Sequence, residues 1–171
     1  MLRVLIADDE SKVCQLIEKL VDWGALGMEV VAVAENGIEA LEKIKEFYPD
    51  IVITDIRMPG YDGLDLIRLG KEEAPNTEFV IISGYRHFEY AQMAIRYGVN
   101  AYLLKPIRKD ELTETLKRLS AHFKEQTEQL SLEEKRQRAI RSDEKNLRQA
   151  FLQDLVGRRN KEVLTQPLDR I

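Results

Sequence analysis

Four short apolar runs in this 171-residue chain end on side chains that can do chemistry. Val4–Ala7, the end of a strand from Leu2, meets Asp8, Asp9 and Glu10; Ile51–Thr54 meets Asp55; Phe79–Ile82 meets Ser83; Ala101–Leu104 meets Lys105. An Asp at a strand end often does no more than cap the next turn. Three carboxylates drawn together, however, repel one another and raise one another's pKa unless a cation intervenes. Magnesium meets that need, since it prefers oxygen ligands, keeps several waters and takes one or two carboxylates. Asp9 and Asp55 are the expected direct ligands, with Asp8 acting through water. A carboxylate is also a nucleophile able to attack phosphorus and form an acyl phosphate. Lys105 would supply a fixed ammonium for the transferring oxygens, and Ser83 a hydroxyl donor.

The elements that must gather these residues follow from the apolar pattern. After Ala7 the acidic cluster breaks a strand and starts a helix in which Val13, Leu16, Ile17 and Leu20 recur at helical spacing. Val30–Ala34 reads as a second strand, and Asn36-Gly37 opens a helix carrying Ile38, Leu41, Ile44 and Phe47 on one face. The central strand, Ile51–Thr54, ends at Asp55 before the Pro59-Gly60 breaker. Leu64, Ile67 and Leu69 predict a third helix that Gly70 weakens, and a helix from about Phe88 to Tyr97 closes at Gly98. From Lys109 the pattern is helical again. Strands this uniformly apolar belong to a parallel sheet buried on both faces. Right-handed crossovers make it doubly wound, with ligands outside the carboxyl ends of the strands. The expected fold class is α/β: a doubly wound five-stranded parallel sheet with a long C-terminal helical extension.

Composition narrows the function classes. A hydrophobic content of 44% supports one well-buried domain plus something extra. A formal charge of -4 and a pI near 5.4 argue against the whole chain being a nucleic-acid binder, although its 26 Lys and Arg residues allow a local patch. The single cysteine, Cys14, cannot staple the chain and reads as a small core residue, which suits a reducing cytoplasm. The first apolar run is too short for a signal peptide, and no stretch is long enough for a membrane span.

Asp8-Asp9, Asp55, Ser83 and Lys105-Pro106, in that order at the ends of strands one, three, four and five, resemble the receiver domain of two-component response regulators. The likeness covers roughly residues 2 to 120 and includes Asp55-Ile56-Arg57-Met58-Pro59-Gly60 and Tyr102. It implies a flavodoxin-like, CheY-like fold and a phosphoprotein in which Asp55 accepts a phosphoryl group from a phosphohistidine on a sensor histidine kinase. It also implies that the backbone carbonyl of Arg57 joins Asp9, Asp55 and Asp8 around Mg2+, and that the Lys105–Pro106 bond is cis. Ser83 and Tyr102 would form the switch. On phosphorylation Ser83 moves toward the phosphoryl group and Tyr102 turns inward, reshaping the face of the fourth helix, fifth strand and fifth helix. Arg57 and Tyr85 sit where side chains tune dephosphorylation. Such a domain is not a turnover enzyme.

Beyond Lys109, Leu112, Leu116, Leu119, Phe123 and Leu130 fall on heptad positions, and Ile140, Leu147 and Phe151 resume the phase after a polar gap. Two readings stay open: a helix that pairs with a second copy as a homodimer, or one that docks its first turns on its own domain and then leaves it. The expected divisions are a receiver domain over 1–120, a helical linker or coiled coil over 121–157, and a loop or frayed tail over 158–171. Val21–Gly27 with Trp23, Ser83-Gly84-Tyr85 with Phe88-Glu89-Tyr90-Ala91, and the long helix resemble regulators with an AraC-type helix-turn-helix output domain. Trp23 also reads as a loop aromatic covering the sheet edge. No helix-turn-helix pair follows Leu155, so DNA would be reached only through an output domain outside this sequence, and a stand-alone receiver with a dimerising tail is the alternative.

Other functions fit less well. A phosphatase of the haloacid dehalogenase type needs a second acid two residues after its nucleophile, where this chain has Arg57. A dinucleotide-binding domain needs a glycine-rich turn where this chain has Asp8-Asp9-Glu10. His87 and His122 lack zinc-ligand spacing. A passive receiver-like interaction module remains as an alternative to the phosphorylated one.

Overall fold

The computed structural model describes residues 1–84 and 86–164, with side chains to residue 158. The chain divides into two units, Met1–His122 and Phe123–Ile171. In the first, β1 (Leu2–Ala7), α1 (Ser11–Leu20), β2 (Met28–Ala34), α2 (Gly37–Phe47), β3 (Ile51–Thr54), α3 (Gly63–Glu73), β4 (Glu78–Ser83), α4 (Phe88–Arg96) and β5 (Ala101–Leu104) alternate strictly. Helix α5 (Lys109–Leu164) begins in this unit and forms the described part of the second. Among the described residues no helix is long and apolar enough to cross a membrane.

The five strands form one parallel sheet in the order β2-β1-β3-β4-β5. Chain order reverses between β1 and β3, which is where open α/β sheets form a crevice. Ala7 pairs with Thr54, so Asp8 and Asp55 leave the sheet on neighbouring strands. Ser83 pairs with Leu104, so Lys105 leaves it beside them. Alternation along the strands sends Leu5, Ala7, Val52, Phe79 and Ile81 into a core with Leu41 and Ile44 of α2 and Leu66 and Ile67 of α3.

Several local expectations change. β2 begins at Met28, because Met28 N–H donates to the Trp23 carbonyl at 2.9 Å and Leu2 pairs with Met28. Spacing puts Leu16 and Ile38 on the apolar faces, yet both are exposed; Cys14 and Ile17 fill α1's buried face, and Ala40, Leu41 and Ile44 fill that of α2. Gly70 does not interrupt α3. A Cβ there would lie 2.8 Å from Phe79 Cζ, so the missing side chain makes room for the ring. In α5, Leu112, Leu116 and Leu119 are fully buried, so its first turns belong to the domain core. Leu130, Ile140, Leu147 and Phe151 are exposed. The helix continues to Leu164, past the loop expected from 158, because no Pro or Gly beyond Gly157 breaks it until Pro167; residues 165–171 lie outside the described residues.

Candidate functional site

The site is assembled from three strand ends. The backbone first holds the carboxylate turns: Asp8 N–H donates to the Ala34 carbonyl at 3.1 Å and Asp55 N–H to the Ala7 carbonyl at 3.0 Å. Lys105 N–H donates to the Ser83 carbonyl at 2.9 Å, and the Lys105–Pro106 bond is cis. The Lys105 ammonium then reaches back between the acids, donating to Asp8 Oδ2 and to Asp55 Oδ2, each at 3.0 Å. Both carboxylates are almost fully buried. Their second oxygens are occupied too: Asp8 Oδ1 accepts from Glu10 N–H at 2.9 Å, and Asp55 Oδ1 from Ile56 N–H at 2.7 Å.

Charge and burial compete here. Burial pushes the Asp8 carboxyl above the usual range, against the opposing pull of the Glu10 amide and the Lys105 ammonium. On Lys105 burial acts downward but is outweighed by hydrogen bonds to Asp55 and Asp8, so its ammonium is held above the ordinary lysine value. On Lys105 the ion pair outweighs burial, whereas on Asp8 burial outweighs the ion pair. Cys14, buried against the Asp8 carbonyl, is pushed up to about 11 by burial first and the Asp8 charge second.

Carboxylate oxygens of Asp8, Asp9 and Glu10 lie within 4.8 Å of one another. An all-oxygen, acidic set of this kind suits a hard divalent cation, so the residues fit magnesium. Asp55 is not in that trio; it meets Asp8 through Lys105. Glu10 was read from the sequence only as a strand breaker. Its position in the run Asp8-Asp9-Glu10 was the available signal.

The remaining expected residues fall around this centre. Ser83 is fully buried and hydrogen-bonded to the half-buried Tyr102. Burial raises the Tyr102 phenol, the Ser83 bond opposes this, and the Asp55 charge adds to the rise. Arg57 is exposed between buried Ile56 and Met58. The loop is fastened beneath it: Thr54 Oγ1 donates to the Asp55 carbonyl at 2.9 Å, and Gly63 N–H to the Ile56 carbonyl at 2.6 Å. Tyr85 lies outside the described residues. His87 packs edge-on to Tyr90, and His122 approaches Glu78 at 3.9 Å.

An acidic crevice at the β1/β3 switch point, crossed by a lysine from β5, marks a doubly wound α/β domain with a buried acidic site at its strand ends. The response regulator receiver domain family matches residues 4–117, and the chain belongs to that family. It is 41% identical over 126 residues to the uncharacterized transcriptional regulatory protein YesN of Bacillus subtilis, covering 74% of this chain and 34% of that protein. It is 36% identical over 129 residues to the transcriptional regulatory protein HptR of Staphylococcus aureus, covering 75% of this chain and 50% of that one. The chain therefore spans half or less of the length of these curated relatives. Among solved structures, the REC domain of AraT, a response regulator from Geobacillus stearothermophilus, is 40% identical with a TM-score of 0.71, over 74% of this chain and 98% of that one. The CheX–CheY–BeF3–Mg complex of Borrelia burgdorferi is 25% identical with a TM-score of 0.62, over 67% of this chain and 86% of that one.

Proposed function

We propose that this receiver domain accepts a phosphoryl group on Asp55 from a phosphohistidine of a sensor histidine kinase and relays its state to a transcriptional output domain. The observation that carries the reading is the Lys105 ammonium, 3.0 Å from both Asp8 and Asp55 in a nearly buried crevice. An Asp55 oxygen attacks phosphorus, the bond from phosphorus to the imidazole nitrogen breaks, and that nitrogen keeps the electron pair. Lys105 moves with the developing charge onto a phosphoryl oxygen, and Ser83 donates its hydroxyl to another. Asp9, Asp55, the Arg57 carbonyl and, through water, Asp8 would hold magnesium, which when bound neutralises phosphoryl oxygens. Water later cleaves the acyl phosphate, with Arg57 and Tyr85 tuning that rate, so the domain is a timed switch and not a turnover enzyme.

The signal leaves through α4, β5 and α5. Ser83 and Tyr102 share a hydrogen bond, so drawing Ser83 toward a phosphoryl group would change what the Tyr102 ring contacts. The phosphoryl group biases this surface only by favouring one state over the other. The exposed seam of Leu130, Ile140, Leu147 and Phe151 supports pairing with a second copy, and DNA would be bound through a domain beyond this sequence. A cytoplasmic location is in keeping with the family's role.

The test is intact mass after incubation with magnesium and acetyl phosphate. A gain of one phosphoryl group, lost in Asp55→Ala, is expected. No gain with any donor would make the domain a passive interaction module.

A further inference from the structure

Helix α2 supplies none of the candidate site residues named above, yet its first two residues press on the loop that follows Asp55. Gly37 N–H donates to the Pro59 carbonyl at 3.0 Å. A Cβ built on Gly37 would stand 1.9 Å from the carbonyl oxygen of Tyr61, inside any tolerable contact, and the obstacle is backbone. The next residue grips the same loop from its side chain. A Cβ on Gly60, whose φ is +80°, would lie 2.8 Å from Ile38 Cγ1 and 3.0 Å from Cδ1. This accounts for Ile38, which is 51% exposed and so is not part of the core face that its spacing suggested. Its apolar branch lies over Gly60. At the loop's other end, a Cβ on Gly63 would meet the Asp55 carbonyl at 2.2 Å.

We infer that Gly37 and Ile38 are positioning residues for magnesium: together they latch the Pro59–Tyr61 segment and so fix the direction of the Arg57 carbonyl. The inference rests on the reading above that this carbonyl is a metal ligand. Ile56 and Met58 anchor the loop in the core on either side of Arg57, but nothing in those two contacts fixes the loop beyond Met58. The α2 latch supplies that hold. Groups that orient metal ligands without touching the metal typically carry about 10-fold to 100-fold of metal affinity. The latch also couples α2 to the site, since a displacement of α2's first turn would carry Pro59 and Tyr61 with it.

The test is calorimetric titration of the full chain with magnesium, alongside thermal melts and amide exchange over residues 56–61. Gly37→Ala and Ile38→Ala are each expected to weaken magnesium about 10-fold to 100-fold and to speed exchange in the loop. Ile38→Val, which keeps the branch, is expected to bind as the wild type does. Gly70→Ala crowds Phe79 in the core away from the site, and is expected to lower Tm while keeping magnesium affinity. Should Gly37→Ala fail to fold, Ile38→Ala, at an exposed position whose side chain lies over Gly60, decides. Wild-type affinity in Ile38→Ala overturns the latch and leaves the site reading standing, as does a loss in Gly70→Ala equal to that in Ile38→Ala. A wild-type chain that binds no magnesium and takes no phosphoryl group overturns both.

Discussion

Lys105 Nζ and Asp55 Oδ2 are separated by 50 positions of sequence and by 3.0 Å in space. The same ammonium lies between Asp55 and Asp8, so it acts as an internal counterion for two buried carboxylates. Removing it leaves both acids facing one another. Lys105→Met is expected to lower stability in the absence of metal by about 2 kcal/mol, less than a fully buried pair would cost because the lysine retains some exposure. On the proposed reading magnesium would substitute for the missing charge, so its addition should raise Tm more in the variant than in the wild type. Melts with chelator and with magnesium give the comparison; equal shifts would mean the lysine is not a counterion.

The Ser83–Tyr102 bond makes a titration prediction. Burial holds the Tyr102 phenol above its ordinary 10.0, and the Ser83 bond works against that rise. Ser83→Ala should therefore raise the phenol further, and Asp55→Ala should bring it down by removing a nearby negative charge. For an acid whose native value is raised, the stabilisation is complete below pH 10 and is lost as pH rises through the native value. Phenolate absorbance of Tyr102, isolated by difference from Tyr102→Phe, reads both shifts.

Helix α2 depends on its cap. Asn36 Oδ1 accepts from Glu39 N–H at 2.8 Å, and Glu39 Oε2 accepts from Glu35 N–H at 3.2 Å. Asn36→Ala should cost about 1 kcal/mol in urea unfolding. The Glu39 carboxyl is held below its usual 4.5 chiefly by Lys43, then by the Glu35 amide. Its contribution is present above 4.5 and lost as pH falls through the lower native value, so Glu39→Gln should matter at pH 7 and cease to matter in strong acid.

The two stretches of α5 answer differently to truncation. Leu116 is fully buried, and Leu116→Ala should cost about 3 kcal/mol of receiver stability. Leu147 is 71% exposed, and Leu147→Ala should leave that stability within about 0.5 kcal/mol. If the seam pairs with a second copy, Leu147→Asp with Phe151→Asp should shift sedimentation toward the monomer. A wild-type chain that is monomeric at high concentration would remove the pairing proposal.

The strands were legible because each is a mostly apolar run closed by a polar or breaker residue, and four of those closures, Asp8, Asp55, Ser83 and Lys105, are the residues of the candidate site. Spacing alone misled where a helix face is narrower than its apolar pattern. Leu16 and Ile38 obey the period but face outward, while Cys14, expected in the core from its place in the helical pattern, and Ala40 lie inside. Gly70 misled for the opposite reason. Its cost as a helix residue is visible in sequence, whereas the Phe79 ring that makes it necessary comes from a strand nine residues later. The contacts of Gly37 and Gly63 with loop carbonyls were illegible altogether, since a missing side chain names no partner until the backbones are in place.

Cys14 has a practical consequence. It is the chain's single thiol, 2% exposed and pushed up to about 11, so at neutral pH it is neither accessible nor ionised. A cysteine introduced at an exposed position such as Gln137 would therefore take up a thiol-directed probe alone. The native protein is in effect its own blank for labelling, which opens the proposed pairing along α5 to distance measurements, with and without a phosphodonor, without first removing a core residue.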